Sequence, residues 1–232
     1  MNAHGNARRT ADVLPVQQTK RQTRQFYDRI APFYDILSER TEWPVRQRAL
    51  AALEPRPGER ILEIGAGTGH NLVELARAVG PRGHVHGIDL SEAMLDRARR
   101  LLQRSGLGTR ATLRCEDAAD LPYRDNSMDG VLMTFTLELF DTPEIPVVLS
   151  ECRRVLKPGG RIVVAGLTKD ARAGVVLRML EWTHAHLPQI LDCRPIYVGQ
   201  ALAEAGFTIT DAETVHAWVP VEIVLGRVRS SC

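Results

Sequence analysis

The sequence predicts an α/β protein: a mostly parallel sheet with helices on both faces and a helical cap at the N-terminus. Three observations predict it. From residue 60 the chain alternates short apolar runs with amphipathic helical stretches, the rhythm of βαβ units. Runs such as "RIVVA" carry no polar face, which fits strands covered on both sides. A length of 232 residues at 44% hydrophobic content supplies one sizeable core but not two full domains.

The elements follow in order. Residues 1–22 are polar and read as a flexible tail. Over 23–55, Phe26, Ile30 and Phe33 recur at helical spacing, as do Val45, Ala49 and Leu53. Pro32 and Pro44 are expected to divide this cap into two or three pieces, and Pro55, Pro57 and Gly58 form a turn. "RILEIG" (60–65) is a strand. "HNLVELARAVG" is a helix with Leu72, Leu75, Ala76 and Val79 on one face and Gly80 as its stop. "HVHGIDL" (84–90) is the second strand. Ser91 N-caps a helix whose face carries Met94, Leu95, Ala98, Leu101 and Leu102, ending at Gly106. "ATLRCED" (111–117) and "MDGVLMTF" (128–135) are the third and fourth strands. A helix spans Pro146–Leu156, "KPGG" is a turn, and "RIVVAG" (161–166) is the fifth strand. Residues 172–187 form an amphipathic helix with Val176, Leu180, Thr183 and Leu187 on one stripe. "YVGQALAEAGF" is a short helix. "FTITDAETV" and "WVPVEIVLGRV" are two last strands joined like a hairpin, which makes seven. The domain therefore runs 23–232: the cap at 23–55, a first half of the sheet at 56–166, an insertion at 167–198, and a C-terminal helix and strands at 199–232.

Composition excludes several classes. The formal net charge is +2 with acids and bases intermixed, so there is no basic stripe for nucleic acid. Arg97, Arg99, Arg100 and Arg104 cluster near a helix C-terminus, where cations are favoured on a solvated face. Cys115, Cys152, Cys193 and Cys232 form no C-x-x-C pair, which argues against a zinc site or disulfide framework and for reduced thiols in the cytoplasm. His184 and His186, two apart on a helix, diverge, so no metal is expected. The first 25 residues contain no apolar signal region. No uncharged apolar run reaches the ~18 residues of a membrane span. Peripheral membrane contact stays open, as does the choice between monomer and homodimer.

The stretch "ILEIGAGTGHNL" (61–72) places Gly65, Gly67 and Gly69 between a strand and a helix. Such a loop brings backbone N–H groups and a helix N-terminus against a ligand. Dinucleotide loops read G-x-G-x-x-G, but here His70 stands where the third glycine would be. No Gly-Lys-Ser/Thr triplet follows either, so the loop is a poor diphosphate cradle.

Glu63-x-Gly65-x-Gly67-x-Gly69 resembles the first motif of class I S-adenosylmethionine-dependent methyltransferases. "GIDLSEAML", "CEDAADLPYRDNSMD" and "LKPGGRIVV" resemble that family's later motifs, in the same order, over roughly 25–215. "FYDRIAPFYD" is similar to the N-terminal signature of quinone-biosynthesis C-methyltransferases and phospholipid N-methyltransferases. The resemblance implies a Rossmann-like sheet and S-adenosylmethionine as cofactor. It places the methionine ammonium at Glu63 or the carbonyls of the loop Gly65, Ala66 and Gly67, and the ribose diol on Asp89. The adenine amino group falls to Asp117, with the Ala118 N–H toward a ring nitrogen and Leu90 and Met94 on the ring faces. Tyr34 would reach the methionine carboxylate, and Thr134 lies where cofactor and acceptor clefts meet. Each carboxylate has a second reading: Asp89 and Asp117 as turn caps, Glu63 as a loop brace. Tyr27 and Tyr34, seven apart on one helix face, could also be core.

The acceptor side falls to the cap and the apolar insertion, with Met179, Trp182, His186 and Arg194 as candidates. A lipophilic or aromatic acceptor, a quinone precursor or a phospholipid amine, suits such a surface. Arg194 is alternatively a loop brace. Glu138 is the candidate base and alternatively a capping carboxylate, while His70 reads as a loop residue. Alignment and desolvation supply much of a methyl transfer, so a base is not obligatory. The competing function is a catalytically silent S-adenosylmethionine-binding sensor or scaffold.

Overall fold

The computed structural model describes residues 13–16, 18–169, 194–216 and 219–229, without the side chains at 33 and 35–41. The elements are α1 (Lys20–Leu53), β1 (Arg60–Ile64), α2 (His70–Val79), β2 (His84–Asp89), α3 (Glu92–Arg104), β3 (Ala111–Cys115), β4 (Met128–Thr134), α4 (Ile145–Val155), β5 (Leu156–Leu167), α5 (Val198–Glu204), β6 (Thr208–His216) and β7 (Pro220–Arg227). The seven strands stand in the order β3-β2-β1-β4-β5-β7-β6. β1 to β5 are parallel, and β7 runs antiparallel between β5 and β6, the mostly parallel architecture and the hairpin-like link of the last two strands that the sequence predicts. Strand order reverses between β1 and β4, so their C-terminal ends open a crevice where ligands of such sheets bind.

Alternation along each strand loads both faces. Ile61 joins α1, α2 and α3 in one core through Val45, Leu53, Leu72 and Leu95. Leu62 and Ile64 join α4 and α5 in the other through Leu149, Cys152 and Leu202. Each such side chain contributes about 1.5–3 kcal/mol of burial, which is why these strands read as continuous apolar runs.

Several boundaries differ from expectation. The cap is one helix with Pro32 and Pro44 inside it. Both prolines are exposed, and apolar Ala31, Val45 and Ala49 anchor the helix around them. The helix begins at Lys20 under a capping box in which Thr19 accepts from the Gln22 N–H. The end of the expected tail is thus placed, with the Val16 N–H donating to Asp141 at 3.2 Å. "KPGG" lies within β5, but as a bulge, since Leu156 pairs with Met128 and Arg161 already with Gly130. Ser91 caps α3 as expected, accepting from the Met94 N–H at 3.1 Å. The amphipathic stretch 172–187, with Met179, Trp182 and His186, lies outside the described residues.

Candidate cofactor site

The glycine loop is shaped by contacts that exclude side chains. Gly65 has φ +73°, and a Cβ there would meet Thr136 Oγ1 at 2.1 Å. Gly69 has φ +91°, and its Cβ would meet the Ala98 Cβ at 2.7 Å. Gly67 (φ +51°) has open space around it. Both the Gly65 and Ala66 N–H groups donate to the Ile88 carbonyl at 2.9 Å, which ties the loop to β2.

Above the loop, at the C-terminal ends of β1, β2 and β4, lies a cavity of about 520 Å³, within the usual range for small-molecule sites. Its floor includes Gly65, Asp89, Leu90, Ala118 and Thr134, and its roof is the N-terminal strap with Val16, Thr19, Lys20, Tyr27 and Tyr34. The two tyrosine rings touch, with centroids 6.2 Å apart. Phe135 on the far wall has φ +54°, a conformation that costs a non-glycine residue about 1–3 kcal/mol and gathers at functional sites.

Of the residues assigned to cofactor from the sequence, Tyr34, Gly65, Asp89, Leu90, Ala118 and Thr134 line the cavity. Asp89 is half-buried and accepts from the Gly67 N–H at 2.8 Å and the Ser91 N–H at 2.9 Å. It therefore braces the loop and caps α3 while facing the cavity. Burial raises its carboxyl, and those N–H bonds oppose the rise. Ala66 and Met94 are core residues, and neither they nor Gly67 line the cavity. Asp117 is held aside, ion-paired with Lys20 of α1 and accepting from the Ala119 N–H at 3.0 Å, while neighbouring Glu116 lines the cavity. Lys20 also reaches Glu144 at 2.8 Å, so one ammonium bridges strap and floor.

Glu63 lies beneath the loop. It is buried, accepts from Asn71 Nδ2 at 2.9 Å, and burial pushes its carboxyl up to about 8. Asn71, Thr136 and the strap residues Val16, Thr19 and Lys20 carry no sequence signal of their own. Glu63 Oε2, Thr68 Oγ1 and Asn71 Oδ1 are enclosed without hydrogen-bond partners. The cavity itself presents the Asp89 and Glu116 carboxylates beside Gly65, a polar, cation-compatible lining, and these residues fit S-adenosylmethionine.

Glu138 does not line the cavity. It is buried, accepts from the Leu167 N–H at 3.2 Å, and has an unpartnered Oε2. Burial lifts its carboxyl to about 7. Gly166 makes room for it, since a Cβ there would stand 2.8 Å from Oε2. Arg194 is fully buried and donates to the Leu14 carbonyl at 2.7 Å, to Thr142 Oγ1 at 3.1 Å and to the Phe140 carbonyl. This is the bracing role, made through carbonyls rather than a salt bridge. Among the described residues there is no cluster of metal-ligating groups, and no helix is long and apolar enough to cross a membrane.

Comparison with known proteins agrees with this geometry. A methyltransferase-domain family profile matches residues 61–160. The chain is 32% identical over 223 residues to a demethylmenaquinone methyltransferase of Symbiobacterium thermophilum, covering 84% of this chain and 88% of that one. Among solved structures, the cyclase SpnF superposes with a TM-score of 0.76 at 21% identity, covering 94% and 99% of the two chains. The 1,6-didemethyltoxoflavin-N1-methyltransferase of Burkholderia thailandensis, solved with bound S-adenosylhomocysteine, gives 0.69 at 19% identity, covering 94% and 95%; at these identities the two structures speak for the fold alone. On the family profile and the S. thermophilum relative, the chain belongs to the class I S-adenosylmethionine-dependent methyltransferases, near their quinone C-methyltransferases.

Proposed function

We propose that this methyltransferase acts on a lipophilic aromatic acceptor of the quinone-precursor type. The observation that carries the reading is the cavity, which joins the glycine loop and Asp89 to an aromatic wall of Tyr27, Tyr34, Phe135 and Phe140. The relative that acts on demethylmenaquinone supports the acceptor class. A phospholipid amine is the second acceptor to test. Residues 167–198 would complete the acceptor side, with Met179, Trp182 and His186. In the cell the protein is proposed to work in the cytoplasm, in contact with a membrane surface where its acceptor partitions.

When bound, S-adenosylmethionine supplies an activated methyl group. The chain's contribution is placement. In this reading Asp89 takes the ribose hydroxyls, the Gly65 backbone the methionine end, Ala118 and Leu90 the adenine, and Tyr34 the carboxylate. Asp117 becomes free for the adenine amino group once Lys20 moves fully to Glu144. The strap excludes water, so the nucleophilic carbon meets the methyl group desolvated and aligned. Glu138 stands behind the cavity wall, so the proton that leaves the acceptor carbon after methylation is proposed to pass to solvent, with alignment and desolvation carrying the transfer.

The test is incubation with methyl-labelled S-adenosylmethionine and three acceptors: a prenylated naphthoquinol, a phosphatidylethanolamine vesicle and a small phenol. Mass spectrometry should find label in the quinol first. Cofactor binding without label in any acceptor would instead favour the silent sensor.

A further inference from the structure

Lys20, Thr23, Tyr27 and Tyr34 line the cavity from α1, and their spacing sets them on one stripe of that helix. Asp28, next to Tyr27, reaches instead to the start of α3. Its Oδ1 accepts from the Ser91 hydroxyl at 2.6 Å and from the Ala93 N–H at 3.4 Å. Ser91 has no exposed surface. Its Oγ accepts from the Met94 N–H at 3.1 Å, and its own backbone N–H donates to Asp89 Oδ1 at 2.9 Å. Asp89 Oδ2 takes the Gly67 N–H at 2.8 Å. An unbroken chain of hydrogen bonds thus runs from the roof helix to the glycine loop through Asp28, Ser91, Asp89 and Gly67.

The chain holds Ser91 from two sides. A hydroxyl has one proton and two lone pairs; here the proton goes to Asp28 and a lone pair to the Met94 N–H. The Ser91 N–H is thereby kept on Asp89. Each Asp89 oxygen then carries one N–H donor and keeps a lone pair for another. A vicinal diol brings two O–H donors side by side, and a carboxylate meets both only when its plane is held. Asp28 has one other contact of note, to Arg24 at 3.8 Å, an exposed pair along the helix that supplies little.

We propose that Asp28 is a positioning residue for the ribose: through Ser91 it holds the Asp89 carboxylate in the plane that meets both hydroxyls, and it ties that plane to the α1 roof. The proposal rests on Asp89 holding the ribose. The competing role is purely structural, a carboxylate that complements the N-terminus of α3. With alanine at 28, the Ser91 proton is left to water entering beside the half-exposed helix, which holds Ser91 less firmly than a carboxylate fixed on α1. Alanine is the strongest helix former, so α1 itself should stay folded.

Titration calorimetry with S-adenosylhomocysteine and with its 2′,3′-dideoxy analogue separates the two roles. Asp28→Ala should weaken S-adenosylhomocysteine by about five- to twentyfold. Asp28→Asn keeps an oxygen for the Ser91 hydroxyl and should stay within about threefold of the unaltered protein. The dideoxy analogue lacks the hydroxyls that the aligned carboxylate serves, so Asp28→Ala should change its affinity by less than about twofold. In an Asp89→Ala background, Asp28→Ala should likewise cost less than about twofold. No loss in Asp28→Ala, equal losses for the two ligands, or losses that multiply in the double variant would overturn the proposal and leave Asp89 on the ribose. Unchanged affinity in Asp89→Ala would remove the ribose reading, and this proposal with it.

Discussion

Gly65→Ala should reduce affinity for S-adenosylmethionine by at least about a hundredfold. The left-handed φ of +73° alone costs an alanine about 1–2 kcal/mol. The added Cβ would also stand 2.1 Å from Thr136 Oγ1 and 2.6 Å from its Cγ2. Thr136 cannot yield easily, because it is buried and its hydroxyl donates to the Thr134 carbonyl at 3.0 Å. The loop must lift instead, and that breaks the Gly65 and Ala66 bonds to Ile88. Each tenfold in affinity corresponds to about 1.4 kcal/mol, so strain plus one or two lost bonds accounts for the factor. The second substitution Thr136→Gly in the same chain should restore part of the loss. Titration calorimetry with a thermal melt of each variant checks both. Unchanged affinity in Gly65→Ala would mean the ligand does not use this loop.

The largest stability effect is expected at Arg161, far from the cavity. Its side chain is 8% exposed and forks onto Glu59, with Nη1 to Oε1 at 2.9 Å and Nη2 to Oε2 at 2.7 Å. It also donates to the carbonyls of Leu53 and Glu54 at the end of α1. One guanidinium therefore closes the C-terminus of the cap helix onto β5. Arg161→Ala leaves a largely buried carboxylate without its counter-charge, holding only the Arg56 N–H at 2.8 Å, and strips the donor from the last helical carbonyls, which should cost about 3–5 kcal/mol. In a chain of this size that lowers Tm by roughly 6–20 °C. Arg161→Lys keeps the charge but not the fork and should recover less than half. Cofactor affinity measured well below Tm should stay within about threefold. A melt within about 2 °C of the unaltered protein would contradict this role.

What the sequence made legible was local and periodic. Glycines at 65, 67 and 69 announced a loop of left-handed backbone, closed to a Cβ at 65 and 69. Strand–helix alternation announced the parallel sheet, and Ser91 announced its cap. What escaped depended on partners distant in the chain. Pro32 and Pro44 read as breaks because propensity cannot tell that both face water on a helix anchored by the core. Lys20 lies 97 residues from Asp117, so nothing near "CEDAAD" shows that this carboxylate is already engaged. Asn71 reads as an ordinary first-turn residue until β4 brings Thr134 beside it. Arg194 reads as either an acceptor-side residue or a brace. Its three acceptors, two of them backbone carbonyls, come from segments 52 to 180 residues away, which no spacing rule reaches.

Asp89 braces the glycine loop and is proposed to hold the ribose as well, and one titration series tests this double role. The unaltered protein should bind S-adenosylmethionine saturably in the low-micromolar range or tighter and bind nicotinamide dinucleotides poorly. Asp89→Ala should weaken the cofactor by about 1.5–3 kcal/mol, the scale of losing hydrogen bonds to a charged acceptor, which is roughly 10- to 150-fold. If Asp89→Ala lowers the melting temperature but leaves cofactor affinity unchanged, Asp89 is a cap alone and the cofactor is not held where this cavity places it.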